Sequence, residues 1–285
     1  MARISESFQI LKFCGAILLA EKQLLILPLI SGIVISIFFL ILLFSMLLVF
    51  PLSNEVSVFV EILKYLFLFS LYFITSFVAT FSNFAFVSIV YDKLIGGQGR
   101  FNVGLRMAKQ HSKQILIWSF ISATWGVLAR LSREKLGMIG RVISSTYNLT
   151  WPLATYFVVP TILSGNLSVK DSVQESASLF HRTWKENAVG QLSSGLILLF
   201  FSVPLLCFLI YLIKTENIVT LIRIFPFAII YFSFLLVISY AINRIYMVIL
   251  YVYAKTGDLK EKDYQKLVHL AFNSSKPKAH FSNPQ

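Results

Sequence analysis

The chain has 285 residues, of which 57% are hydrophobic and only 13% are charged, and its formal net charge is +12. A soluble domain usually carries about 25% charged residues, so this chain cannot build a water-facing shell, and an ordinary soluble protein is excluded. The basic residues are scattered between apolar blocks. They therefore indicate membrane topology and contact with anionic membrane lipids, and we expect no nucleic-acid partner.

Six apolar stretches predict an all-α integral membrane protein. In chain order, the spans are expected at about residues 24–50, 65–91, 114–130, 145–163, 190–213 and 224–253. They form a membrane domain over residues 1–254, and residues 255–285 are expected to form a cytoplasmic C-terminal helix and tail. Crossing a hydrocarbon core takes roughly 20 apolar residues of helix. Runs that are apolar on every side, such as 33–49, exclude a barrel, whose strands would alternate.

The distribution of Lys and Arg predicts that both termini are cytoplasmic. In that orientation the inner segments carry 17 basic residues and the outer segments carry 7. The inner segments are residues 1–23, 92–114, 164–190 and 255–285, and the outer segments are residues 51–64, 130–145 and 214–223. This bias favours a multi-pass protein of the cell (inner) membrane in this orientation. The outer loop at 130–145 disagrees, because it holds four basic residues. Either that loop lies at the outer interface, which we favour, or residues 114–163 enter the membrane and return.

The spans pair into three similar units, each an amphipathic cytoplasmic helix followed by a helical hairpin. The even spans can be aligned on a glycine near the end of each: Gly97, Gly165 and Gly257. Fourteen residues before these glycines lie Asn83, Trp151 and Asn243, respectively. A helix C-terminus often needs a left-handed residue, which glycine supplies. The pattern predicts an internal threefold repeat.

The third amphipathic helix has the clearest pattern. Its apolar residues recur at spacings of three and four, at Val169, Val173, Ala177, Phe180 and Trp184. Most of its charged residues fall off that stripe, which is typical of a helix at the membrane surface with Phe180 and Trp184 in lipid or against the spans. Ser168 with Asp171 resembles a capping box at the start of this helix.

Three segments resemble one known family. They are ISESFQILKFCGAILLAEKQLLILPLIS, GLRMAKQHSKQILIWSFISATWGVLA and TWPLATYFVVPTILSGNLSVKDSVQESASLFHRTWKENAVG. Together they resemble DUF6159, a family of prokaryotic membrane proteins of unknown function. The resemblance covers most of residues 4–200 and thins through the last two spans. It implies a six-span architecture and supplies no activity.

Polar residues inside the spans are the natural place to look for a site. The candidates for an intramembrane polar site are Asn83, Asn148, Trp151, Asn243 and Arg244. We expect the Arg244 guanidinium to turn inward onto a polar group of another even span; snorkelling to the interface is the alternative. Prolines punctuate several spans, and the pattern around Trp151, Pro152 and Pro160 is the best candidate for a broken helix rather than a simple kink.

Signals for catalysis are weak. Ser132 and Lys135 spell S-x-x-K, but they lie in a charged outer loop without a supporting motif. The four histidines lack metal-ligand spacing, and the glycines at 96–99 lack the strand that a phosphate-binding loop requires. We therefore expect no enzyme, no catalytic residue, no metal and no cofactor.

The composition and pattern favour a non-enzymatic membrane factor. It would bind membrane lipids, or a membrane protein partner, through its amphipathic helices. The alternative is a transporter or channel for a small amphiphilic solute, with its site between the repeats near Asn83, Trp151 and Asn243. A polar, water-filled cavity joining these positions would favour the alternative.

Overall fold

A computed structural model describes residues 13–19, 21–49, 58–95, 97–135, 151–165, 167–215 and 218–256. Within these ranges all regular structure is helical, which confirms the all-α class. Short helical stretches lie at 13–19 and 151–154, and a 3-10 turn at Lys22–Leu25 leads into the first long helix. The helices are α1 (Ile26–Val49), α2 (Val58–Leu94), α3 (Phe101–Gln110), α4 (Ser112–Lys135), α5 (Val158–Gly165), α6 (Val169–Lys214) and α7 (Ile218–Thr256).

Four helical segments are long and apolar enough to cross a membrane: Lys22–Ser45, Tyr65–Leu94, Ser112–Ser132 and Ile222–Val252. They coincide with the first, second, third and sixth predicted spans, and they indicate a membrane protein. The predicted span at 145–163 lies partly outside the described residues. The predicted span at 190–213 corresponds to a shorter apolar stretch, Leu198–Lys214, and both remain predictions.

The chain divides into two compact units. One comprises Met1–Glu21, Leu94–Gly96 and Thr183–Gln285, and the other comprises Lys22–Lys93 and Gly97–Arg182. Helix α6 passes from the second unit to the first at Thr183, where φ is −113° and ψ is 16°. The sequence predicted an amphipathic helix and a separate fifth span here. Thr183 is not helical, so α6 consists of two helices that meet at a kink, which is compatible with an amphipathic helix followed by a separate helix.

The fourth predicted span is interrupted. Residues 151–154 are helical, residues 155–157 form a turn, and α5 begins at Val158. The turn is tightened by bonds from Tyr156 N to Leu153 O (3.3 Å) and from Val158 N to Thr155 O (3.2 Å). Pro160 explains the break, because its ring would clash with the carbonyl four residues earlier in a continuous helix but is tolerated in the first turn of a new one. The broken-helix alternative therefore describes this segment.

The apolar stretch Leu198–Lys214 of α6 and the first part of α7 form a helical hairpin whose large apolar side chains are mostly exposed. Its interhelical polar contact is a hydrogen bond from the Tyr231 hydroxyl to the Phe201 carbonyl oxygen, at 2.8 Å. Pro204 lies one turn further along α6 and distorts the local hydrogen-bond ladder. The tyrosine therefore supports the backbone of α6 where the proline weakens it.

Candidate functional site

The even spans share an unusual pattern of burial. In α2, every residue from 84 to 90 is buried, and in α7 every residue from 245 to 252 is buried. The same holds for residues 157–162, which precede Gly165. A helix that faces lipid on one side keeps that side exposed, so these runs are surrounded by protein on all sides. They are places where a span is enclosed by other parts of the chain.

The run in α2 is enclosed partly by α3, which folds back onto it. Gly104 approaches so closely that a Cβ there would lie 2.5 Å from the Ala85 carbonyl oxygen and 2.6 Å from the Ile89 side chain. Ala108, one turn later, is fully buried. The His111 ring lies 5.0 Å from the Phe84 ring, and its Nδ1 is 2.9 Å from the Met107 carbonyl oxygen. We call the enclosed run of α2 and the α3 helix packed on it, residues 84–111, the first fold-back pair.

The loop between α2 and α3 is held by a single carboxylate. Asp92 Oδ2 accepts the Gly99 backbone N–H at 2.9 Å, and the Asp92 carbonyl oxygen accepts the Gly97 N–H at 2.7 Å. Gly99 has φ +61°, a left-handed conformation that glycine adopts without strain. Gln23 Nε2 donates to the Gly99 carbonyl oxygen at 3.0 Å. These bonds fix the point at which α3 begins.

The opposite face of α3 is basic and exposed. Arg106, Lys109 and Lys113 recur at spacings of three and four, so they lie on one face that continues from α3 into the first turn of α4. Arg100 is exposed immediately before α3. We call these four residues the basic stripe. Among the described residues, none of their side chains makes an ion pair or a hydrogen bond.

A second fold-back pair, residues 155–182, repeats this arrangement with serines. Ser176 Oγ accepts the Phe157 backbone N–H at 2.9 Å, which satisfies a donor that the broken helix leaves free. The Thr161 hydroxyl lies 3.3 Å from the Ser172 carbonyl oxygen. The Tyr156 and Phe180 rings meet edge to face at 5.8 Å. Residues 155–161 therefore pack directly against the first turns of α6.

The start of α6 has the predicted cap, and the structure shows which of its faces is buried. The Ser168 hydroxyl accepts the Asp171 N–H at 3.2 Å and donates to the Asp171 carboxylate at 2.6 Å, so the predicted cap is present. The fully buried residues of this segment, however, are Val169, Ser172, Ser176, Leu179 and Thr183.

The predicted apolar stripe is therefore not the face that packs against protein, and its placement in lipid or against the spans stays a prediction. It lies roughly a quarter turn away, and its member Phe180 is only half-buried. The side chain of Trp184 lies outside the described residues. Bulky residues dominate the hydropathy pattern, whereas small serines allow the closest approach of two backbones.

Small residues four apart are the signal that sequence reasoning missed. Gly104 with Ala108, and Ser172 with Ser176, both follow the small-xxx-small spacing of close helix contacts. In both fold-back pairs these residues face the enclosed run of the preceding span.

Trp151 is the candidate site residue with the best-defined surroundings. Its ring stacks between Trp118 at 5.7 Å and Trp125 at 4.7 Å, with interplanar angles of 5° and 21°. The two partners are seven residues apart on α4, two helical turns, so they present their rings on one face. This aromatic stack joins α4 to the helical stretch before the break.

Arg244 finds its partners on its own helix. Its guanidinium carbon lies 5.0 Å from the centre of the Tyr240 ring, and Nη1 lies 3.6 Å from the Met247 sulfur. The sequence led us to expect a polar group of another even span. The contacts found among the described residues come instead from positions four before and three after, which a helix places beside Arg244 automatically.

Two of the three asparagines of the predicted polar site lie within the described residues. Asn83 is half-buried in α2, in one compact unit, and Asn243 is half-buried in α7, in the other. Asn148 lies outside the described residues. The intramembrane polar site therefore stays a prediction.

Across the described ranges, no three His, Cys, Asp or Glu side chains cluster closely enough to hold a metal ion. Cys14 is fully buried, and this burial raises the pKa of its thiol to about 12, although a backbone hydrogen bond lowers it slightly. Because the thiolate is the reactive form, Cys14 is inert at neutral pH. Cys207 is exposed on α6.

Comparison with known proteins gives one match. The family described as a family of unknown function, DUF6159, matches residues 61–260. The match begins after the opening segment that contributed to the resemblance, and it extends through the last two spans, where the resemblance thins. No curated protein and no solved structure matches the chain. Since the family match covers well over half of its length, the chain belongs to the DUF6159 family.

Proposed function

We propose that the chain is a non-enzymatic, six-span protein of the cell membrane that binds lipid or a membrane protein partner through its amphipathic helices. The observation that carries this proposal is α3. One face is fixed by Gly104 and Ala108 against the enclosed run of α2, and the other presents exposed polar residues immediately before a candidate span. A helix held in this way is a rigid surface for recognition at the membrane interface.

Two features support the six-span, threefold-repeat architecture. An enclosed run precedes each of the aligned glycines, at 84–90, 157–162 and 245–252. After the first two runs, the chain turns and an amphipathic helix packs back through small residues. An internal repeat requires such a shared pattern, in which a buried run of a span is followed by a helix that packs back against it.

The binding proposal can be tested with a photo-crosslinking amino acid. Placed at Gln110 on α3 or at Gln174 on α6, both exposed, it should capture a defined lipid or protein. The control position is Phe227, which is 71% exposed on α7 and faces bulk lipid in this proposal. The same unselective products at all three positions would argue against a recognition surface on the amphipathic helices.

The topology follows from the excess of basic residues in the inner segments. With the exposed Cys207 changed to Ser and the buried Cys14 retained, one further cysteine at a time is introduced as Asn54→Cys, Glu216→Cys or His280→Cys. The first two should react with an impermeant thiol reagent in intact cells, and the third should react only after lysis. Labelling of His280→Cys in intact cells would reverse the orientation.

The transporter alternative has one observation in its favour, the broken helix at residues 155–157. Broken helices line the substrate sites of many transporters. Contacts within the protein already occupy this break, because Ser176 Oγ accepts the Phe157 N–H and the Trp151 ring stacks on Trp125 of α4. A Thr155→Cys variant that reacts with small thiol reagents from both sides of the membrane would favour transport, and protection from both sides would favour the membrane factor.

A further inference from the structure

We infer that the basic stripe, formed by Arg100, Arg106, Lys109 and Lys113, binds the phosphate headgroups of anionic lipids in the membrane that the chain spans. This inference rests on the proposed function, because it names the ligand of the exposed face of α3. It commits to membrane lipid, rather than free phosphate or an acidic protein, for the reasons that follow.

The stripe is held in one orientation. Gly104 leaves no space for even a Cβ against α2, and Ala108 is fully buried, so α3 cannot roll about its axis without a clash. The loop that precedes it is fixed by Asp92 and Gly99. Arg106, Lys109 and Lys113 therefore lie on the side away from α2 as a preorganised set, with Arg100 exposed just before them, which lowers the entropy cost of binding.

Within the part of the chain that the structure describes, no carboxylate forms an ion pair with the stripe. From Lys93 to Arg133 the sequence contains no Asp or Glu. The nearest carboxylate before it, that of Asp92, already accepts the Gly99 N–H. Uncompensated cations on a fixed helix face attract anionic headgroups, at a strength of about 1 kcal/mol for each Lys or Arg near the membrane surface.

The position of the stripe along the chain selects lipid. The candidate span Ser112–Ser132 begins beside Lys113, and Leu116 and Ile117 are exposed apolar residues within about 6 Å along the helix. Lys and Arg residues that directly precede a lipid-facing helix lie at the depth of the headgroups, where their long side chains can bring the charge to the phosphates.

The exposed face at the start of α6 provides a contrast. There Lys170 and Arg182 are interspersed with Asp171, so the face has mixed charge. Repulsion from the carboxylate weakens any attraction to anionic headgroups, and we assign no lipid site to this face. The basic stripe differs in carrying one sign of charge only.

The test measures binding of a fluorescent phosphatidylglycerol to the purified full chain in neutral detergent, with a fluorescent phosphatidylcholine as the comparison. The Arg106→Gln/Lys109→Gln variant should weaken phosphatidylglycerol binding roughly 20- to 30-fold, since each charge contributes about fivefold. The matched control is Lys170→Gln/Arg182→Gln, which removes one Lys and one Arg that are also exposed but lie on the mixed-charge face at the start of α6. It should leave binding unchanged.

A charge-conserving variant separates recognition from folding. Arg106→Lys/Lys109→Arg keeps both charges and should retain phosphatidylglycerol binding, which weakens as added salt screens the charges. Equal losses in the glutamine variant and its control, or no preference over phosphatidylcholine, would overturn the inference. Complete displacement by inorganic phosphate would also overturn it, in favour of a site for free phosphate. In any of these cases, selective crosslinking at Gln110 or Gln174 would still sustain the proposed function.

Discussion

The hydrogen bond from Phe157 to Ser176 allows a sharp test of how the broken helix is stabilised. Both residues are completely buried, and the N–H donates to Ser176 Oγ at 2.9 Å. In a regular helix this N–H would donate to the Leu153 carbonyl oxygen, but in the turn the Tyr156 N–H occupies that acceptor. Ser176→Ala therefore removes the side-chain acceptor of a buried N–H.

The expected cost follows from the burial of that donor. An unsatisfied buried N–H costs about 1–3 kcal/mol, which corresponds to a change of about 5- to 150-fold in the unfolding equilibrium constant. The matched control is Ser178→Ala, on the exposed face of the same helix. Both changes gain the same small helix propensity of alanine over serine, so the difference between them isolates the hydrogen bond.

The assay is equilibrium unfolding of the purified protein in mild detergent, titrated with SDS and followed by far-ultraviolet circular dichroism. Ser176→Ala should unfold at a lower SDS fraction than the unaltered chain, and Ser178→Ala should not. Coincident transitions for the two variants would refute the reasoning, because the turn would then be stable without its serine acceptor.

Three further predictions concern other contacts. Tyr231→Phe removes the interhelical hydroxyl and should destabilise the α6–α7 hairpin by about 0.6–1.7 kcal/mol in thermal unfolding, whereas Tyr211→Phe, exposed on the same hairpin, should have no effect. Gly104→Ala should destabilise the chain by about 1–3 kcal/mol, because the added methyl group overlaps α2, and unchanged stability would contradict that packing. Arg244→Leu should make insertion of the last span more favourable, as measured by glycosylation mapping. An Arg at the bilayer centre costs roughly 2.5–3.5 kcal/mol, and the gain should be smaller than that because the Tyr240 ring already stabilises the cation. Unchanged insertion would argue against this reasoning.

The helical class and four of the spans could be predicted from the sequence because long apolar windows leave the backbone no alternative to a helix. The broken helix was anticipated only as an alternative, since Pro160 is compatible with both a kink and a new first turn. The buried face at the start of α6 was missed because hydropathy weights bulk, and Ser172 and Ser176 pack closely through being small. The partners of Arg244 were not predicted because a charge deep in a span was expected to need a polar group of another span, whereas Tyr240 and Met247 lie on the adjacent turns of the same helix.

The enclosed runs also bear on the hydrophobic thickness of the surrounding bilayer. Helices α2 and α7 contain 37 and 39 residues and are therefore about 55 and 58 Å long, whereas a hydrocarbon core is about 30 Å thick. In α7, Arg223 and Arg244 are about 32 Å apart along the axis, and full enclosure begins directly after Arg244. A free helix of this excess length would fit a thinner bilayer by tilting. A helix with one end enclosed by protein cannot tilt on its own, so in a bilayer of unmatched thickness part of the hydrophobic mismatch would fall on the surrounding lipids.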